Sequence, residues 1–122
     1  MASDDKKILL VEDEKAIRDA VAAYLERENY IVRGVGDGQS AVEEFEKHSF
    51  DLVILDLMLP KLSGERVCRA IRETSEVPII MLTAKGEDMD KILGLEYGAD
   101  DYMTKPFNIL EVKARIKTIL RR

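Results

Sequence analysis

Five polar residues that follow apolar runs carry the chemistry of this chain. Glu12 and Asp13 come after Ile8 to Val11, Asp56 after Leu52 to Leu55, Thr83 after Ile79 to Leu82, and Lys105 just beyond Tyr102-Met103. If those runs are parallel strands of an α/β sheet, their carboxyl ends share one edge, and residues far apart in sequence meet there. Three carboxylates with no nitrogen or sulfur ligand beside them suit a hard divalent cation, Mg²⁺ with Mn²⁺ as the alternative. A carboxylate next to such a cation can attack phosphorus and form an aspartyl phosphate, which makes Asp56 the candidate phosphoacceptor. Glu12 and Asp13 are the candidate metal ligands together with Asp56, and a main-chain carbonyl at Met58 offers a further oxygen. Lys105 supplies a point charge for one phosphoryl oxygen and the Thr83 hydroxyl a hydrogen bond to another. Taken singly, an Asp at a strand end is an ordinary helix cap and a Lys an ordinary surface charge. Their joint placement at strand ends is what points to phosphoryl chemistry.

The elements needed to place these residues are legible as an alternation. Ile8 to Val11, Leu52 to Leu55 and Ile79 to Leu82 are short continuous apolar runs, as expected of parallel strands covered on both faces. Ile31 to Val35 and Tyr102 to Met103 are weaker strands by the same criterion. Between them, Lys15 to Arg27, Ser40 to Lys47, Glu65 to Glu73, Asp88 to Tyr97 and Ile109 to Leu120 carry apolar residues at helical spacing. Asp37-Gly38 reads as a turn closing the second strand, Ser63-Gly64 as the opening of the third helix, Gly98 as the residue ending the fourth helix, and Asn108 as a cap of the fifth. Five strand and helix pairs in regular order imply an α/β protein with a right-handed, doubly wound, five-stranded parallel sheet, a (βα)₅ fold.

Composition narrows the function classes. The 122 residues form one expected domain, 1–122, with 46% hydrophobic and 35% charged residues, ordinary for a soluble protein. No segment is long enough for a membrane span, and Met1 to Lys7 is too polar for a secretory signal, so no membrane partner and a cytoplasmic location are expected. A net charge of -5 argues against direct nucleic-acid binding, although Lys113, Arg115, Lys117, Arg121 and Arg122 crowd the last stretch of the chain. The single cysteine, Cys68, excludes an internal disulfide and reads as a buried structural thiol; the single histidine, His48, lies away from the acidic edge. Two competing functions remain. A metal-dependent aspartyl phosphatase would place a second acid two residues after its nucleophile, where this chain has Met58. A nucleotide or flavin binder would need a phosphate loop, whereas Gly34, Gly36 and Gly38 follow the second strand without the dinucleotide spacing and read as turn glycines.

Val11-Glu12-Asp13-Glu14, Leu55-Asp56-Leu57-Met58-Leu59-Pro60, Met81-Leu82-Thr83-Ala84 and Lys105-Pro106-Phe107, in this order and spacing, make the chain resemble the receiver domain of two-component response regulators along essentially its whole length. The resemblance implies the flavodoxin-like, CheY-like version of the fold, and a phosphorylation switch rather than a turnover enzyme. It implies Asp56 as phosphoacceptor, Glu12, Asp13 and the Met58 carbonyl at Mg²⁺, Thr83 as switch hydroxyl, Lys105 as phosphate-binding lysine, and Tyr102 as an aromatic that turns inward on activation. Gly94 to Tyr102 followed by Thr104 to Phe107 looks like the OmpR/PhoB type. That resemblance implies a sensor histidine kinase as phosphodonor and a winged-helix DNA-binding effector beyond this chain, so that DNA is met only through the effector. It also implies a homodimer on phosphorylation through the fourth helix, fifth strand and fifth helix. The matching positions are Lys91, Asp100, Asp101, Glu111, Arg115 and Lys117 around an apolar patch of Ile92, Leu95 and Ala114, with Arg115 and Lys117 meeting Asp101 and Asp100 of a twin. A stand-alone receiver acting by protein–protein binding is the alternative output, and a solvated helix face with Glu111–Arg115 pairing the alternative to the dimer face.

Overall fold

The computed structural model describes residues 6–57, 59, 61–84, 98–105 and 108–121. Its strands are β1 (Lys7–Val11), β2 (Ile31–Val35), β3 (Leu52–Asp56), β4 (Ile79–Ala84) and β5 (Asp101–Lys105). They form one sheet in the order β2-β1-β3-β4-β5, every neighbouring pair parallel. The helices are α1 (Lys15–Arg27), α2 (Gly38–Lys47), α3 (Gly64–Arg72) and a C-terminal helix (Ile109–Arg121). The fourth helix expected at Asp88 to Tyr97 lies outside the described residues.

Alternate residues along each inner strand serve opposite faces of the sheet, because successive strand side chains point to opposite sides. Leu9, Val11, Val53, Leu55, Ile79 and Met81 pack with Ala41 of α2 and Val67, Cys68 and Ile71 of α3. Ile8, Leu10, Leu52, Ile54, Ile80, Leu82 and Met103 pack with Val21 and Leu25 of α1 and with Val112, Ile116 and Ile119 of the C-terminal helix. The two-sided cover explains why β1, β3 and β4 read as unbroken apolar runs. β2 sits at the edge, where Ile31 stays 47% exposed, which is why its sequence signal was weaker. Cys68 is buried as expected, and burial pushes its thiol pKa up.

Strand and helix ends depart from the sequence reading in instructive ways. β3, β4 and β5 run one or more residues past their apolar cores, so Asp56, Thr83 and Lys105 belong to the strands themselves: Asp56 pairs with Leu82, Thr83 with Thr104, and Ala84 with Lys105. Asp37 lies in the bend that follows β2 and has a second role there. It is the N-cap of α2, its carboxylate accepting from the Ser40 backbone N–H at 2.8 Å and from the Ser40 hydroxyl at 3.1 Å. Ser63 caps α3 by accepting from Arg66 N–H, and the Asn108 side chain accepts from Leu110 N–H at 2.8 Å, both as expected. Gly98 adopts φ +102°, a conformation glycine takes without strain. Gly34 lies within β2 and Gly38 within α2 rather than in turns, while Gly36 lies in the bend between them; a Cβ on Gly38 would meet the Leu62 carbonyl, and Cβ atoms on Gly34 and Gly36 would press on the Arg18 side chain.

Candidate functional site

β1 and β3 are adjacent and in register at Val11 and Leu55, so the residues that follow, Glu12 and Asp56, emerge side by side at the carboxyl edge. Asp13 joins them, and one carboxylate oxygen from each of the three lies within 4.8 Å of the others. Glu12 is fully buried, Asp56 is 4% exposed, and Asp13 faces solvent. The order is fixed locally. Glu12 N–H donates to the Val35 carbonyl at 3.1 Å, prolonging the β1–β2 pairing by one residue, and Glu12 Oε2 accepts from Glu14 N–H at 3.1 Å. Leu57 N–H donates to the Leu82 carbonyl at 2.9 Å, holding the segment after Asp56 against β4.

Charges of one sign packed this closely repel by about 3 kcal/mol per pair at 5 Å in a medium of effective dielectric near 20. A divalent cation is the ordinary physical remedy, and the donor set, all carboxylate oxygen, fits one of the Mg²⁺ class rather than a soft metal. One side of the cluster stays open to solvent through Asp13, which leaves a route for an incoming ligand.

Two glycines bring helices and loops up to this edge. A Cβ on Gly64 would lie 2.3 Å from the Asp56 carbonyl oxygen and 2.7 Å from Leu57 Cα, so only glycine lets α3 begin there; its N–H donates to the Leu57 carbonyl at 2.9 Å. A Cβ on Gly38 would lie 2.0 Å from the Leu62 carbonyl oxygen, so α2 presses equally on the loop after β3. Lys61, in that loop, takes φ +68°, and its ammonium lies 3.9 Å from Asp37. The Ser40 hydrogen bonds and then the Lys61 charge hold the Asp37 carboxyl below the usual carboxylate range.

The structure brings together Glu12, Asp13 and Asp56, and places Thr83 and Lys105 near the carboxyl ends of β4 and β5. Met58 lies outside the described residues. Tyr102 is half-buried in β5, opposite Met81 and packed on the cluster formed with α2 and α3. Of the expected dimer face, Lys91, Ile92 and Leu95 lie outside the described residues. Asp100, Asp101, Glu111, Ala114, Arg115 and Lys117 are described, and Asp100, Asp101, Glu111 and Arg115 find charge partners within the chain. Arg115 Nη1 donates to both Asp101 oxygens at 2.8 and 2.7 Å and its Nη2 to Glu111 at 3.0 Å; these partners raise its pKa. Asp100 accepts from Arg72 at 2.9 Å and from Ile79 N–H at 2.8 Å. The intrahelical Glu111–Arg115 pair weighed as the alternative is therefore present in the single chain. Lys113 pairs with Glu28 at 3.0 Å. His48 sits beside Glu44 at the end of α2, away from the acidic edge, as its sequence position implied.

One residue beside the site escaped the sequence reading. Arg18 of α1 donates from Nη1 to the Glu12 main-chain carbonyl at 2.7 Å. The helical periodicity of α1 marks Ile17 and Val21 as inward and gives no signal for a charged residue bonding back to the strand.

Residues 8–117 match the family of response regulator receiver domains. The chain is 54% identical over 117 residues to the regulatory protein VanRc of Enterococcus gallinarum, covering 96% of this chain and 51% of that protein. It is 53% identical over 119 residues to the alkaline phosphatase synthesis transcriptional regulatory protein PhoP of Bacillus subtilis, covering 97% of this chain and 50% of that one. The chain thus spans about half the length of the curated relatives it matches. Among solved structures, a Francisella response regulator receiver domain superposes with a TM-score of 0.91 at 30% identity, covering 97% of this chain and 98% of the other. The receiver domain of a sensor histidine kinase from Pseudomonas aeruginosa, with a magnesium ion coordinated in its active site cleft, gives 0.89 at 34% identity, covering 97% and 99%. An acidic cluster at the carboxyl edge of a β2-β1-β3-β4-β5 sheet, within a sequence matched along nearly its whole length, makes this chain a response regulator receiver domain of the OmpR/PhoB type.

Proposed function

We propose that the chain is a phosphorylation switch in which Asp56 accepts a phosphoryl group from the phosphohistidine of a sensor kinase. The observation that carries this reading is the convergence of Glu12, Asp13 and Asp56 at one sheet edge, with Asp56 nearly buried. In the step, an Asp56 carboxylate oxygen forms the new bond to phosphorus while the bond from phosphorus to the histidine nitrogen breaks, its electron pair leaving with the nitrogen. Glu12, Asp13 and Asp56, with the Met58 main-chain carbonyl, hold Mg²⁺ or Mn²⁺, which when bound screens the carboxylates from the incoming phosphoryl oxygens. Thr83 and Lys105 engage two of those oxygens, Thr83 from β4 beside the acceptor strand and Lys105 from β5, one strand further out. Hydrolysis in multiple turnover is not part of this function, since no acid follows the nucleophile at the phosphatase position.

The output follows from the strands that carry Thr83 and Lys105. β5 also carries Asp101 and Tyr102, so drawing Thr83 toward the phosphoryl group and Tyr102 inward alters the surface formed by the fourth helix, β5 and the C-terminal helix. Phosphorylated copies pair through that surface, with Arg115 exchanging Asp101 of its own chain for Asp101 of a twin. The dimer then directs a winged-helix effector, which meets the DNA, in the cytoplasm. Among the described residues no helix is long and apolar enough to cross a membrane. Intact mass after incubation with acetyl phosphate tests the reading: one phosphoryl adduct that requires Mg²⁺ and vanishes in Asp56→Ala supports it. No adduct in folded protein, or an adduct retained by the variant, would overturn it.

A further inference from the structure

Arg18 lies against the backbone of three residues in two segments, Glu12 and the glycines Gly34 and Gly36. Its Nη1 donates at 2.7 Å to the Glu12 carbonyl, in the peptide that joins Glu12 to Asp13. Its stem crosses Gly34, where a Cβ would stand 3.2 Å from Cγ and Cδ, and its Nη1 crosses Gly36, where a Cβ would stand 3.0 Å away. The guanidinium therefore occupies a slot floored by two glycines of the β2 end and closed by the Glu12 peptide. The preceding peptide is held by the hydrogen bond from Glu12 N–H to the Val35 carbonyl at 3.1 Å, so Glu12 is fixed at both its N–H and its C=O. A side chain with this much backbone contact costs rotamer freedom to order, and the fork is spent on one carbonyl rather than on a carboxylate.

We propose that Arg18 is a positioning residue for the cation site: by clamping the Glu12 peptide against the end of β2 it fixes where the Glu12 and Asp13 carboxylates meet Asp56. This rests on the reading of that cluster as a cation site. Two physical effects oppose each other here, and their signs differ. As a bystander charge, a guanidinium beside a divalent-cation site repels the cation, so its removal would tighten binding. As a clamp, it reduces the freedom of two ligands, so its removal weakens binding, as loss of other outer-shell supports does.

Mn²⁺ binding to the unphosphorylated protein, read from the loss of the free-ion electron paramagnetic resonance signal, separates the two. Arg18→Gln is expected to bind about tenfold more weakly than wild type, at the lower end of the range for outer-shell supports, and Arg18→Lys to fall between them at about threefold. Arg33→Gln removes an equal charge from β2, where Arg33 pairs with Glu44, and is expected to stay within about twofold. In the metal-free protein, amide exchange at Glu12 and Asp13 should quicken in Arg18→Gln while exchange at Ile54 is unchanged, which a general loss of stability would not produce. Equal or tighter Mn²⁺ binding by Arg18→Gln overturns the proposal; if that variant does not fold, wild-type affinity in Arg18→Lys does so. Failure of the wild type itself to bind Mn²⁺ overturns the cation site, and the proposal with it.

Discussion

At the scale of single residues, the same side-chain type does different work according to its neighbours. Asp56 ends β3 and Asp37 follows β2, yet Asp56 is drawn into a carboxylate cluster while Asp37 caps α2 and faces Lys61. The cap is worth about 1 kcal/mol, so Asp37→Ala should lower stability by that amount in urea unfolding at pH 7. Its folded pKa is depressed, so protons bind the unfolded chain more readily. The ionic part of its contribution is present above the ordinary carboxylate value of about 3.9 and is lost as pH falls through the lower folded value. Asp37→Asn keeps an acceptor for Ser40 without a titrating group. Its stability should therefore fall less steeply than wild type below pH 4, and a parallel fall would show that Asp37 ionisation contributes nothing. The sequence shows an Asp-Gly pair at this position, and turns and caps draw on the same residue types for the same hydrogen-bonding reason. The distinction appears only when the Ser40 N–H is seen pointing at the carboxylate.

At the scale of elements, the parallel strands and most helices were legible because burial on both faces leaves an unbroken apolar run, and burial on one leaves a helical stripe. The acidic edge was legible for a related reason: Glu12, Asp13 and Asp56 are the polar residues at which two such runs stop. Close approach between elements is not periodic and left no such trace. Gly34 and Gly36 read as turn residues, with no sign that they form the floor beneath Arg18, and Gly38 is small because Leu62 crosses it. Gly64 shows what such a contact is worth. Gly64→Ala would force a methyl group against the Asp56 carbonyl and Leu57, displacing α3 or the end of β3, and should cost about 3 kcal/mol, at the upper end of ordinary overpacking. Ser63→Ala removes only the α3 cap and should cost about 1 kcal/mol. Equal losses in the two variants, measured by urea unfolding, would contradict the packing account of Gly64.

At the scale of the whole molecule, the acceptor edge and the Asp101–Arg115 surface are joined by β4 and β5, so a charge gained at one has a direct structural route to the other. In the single chain Arg115 is already satisfied by Asp101 and Glu111, so the proposed pairing with a twin would exchange these partners. Arg115→Ala should accordingly cost the unphosphorylated domain less than about 1 kcal/mol, as a half-exposed ion pair does, yet leave the phosphorylated protein monomeric in sizing experiments where wild type dimerises. A variant that dimerises like wild type would remove Arg115 from the interface. All of this depends on which atom takes the phosphoryl group. The most direct test is to phosphorylate the domain with acetyl phosphate and Mg²⁺, reduce the acyl phosphate with borohydride, and sequence the peptides by tandem mass spectrometry. Homoserine at position 56 alone is the predicted result; homoserine at position 13 or elsewhere, with Asp56 intact, would contradict the account.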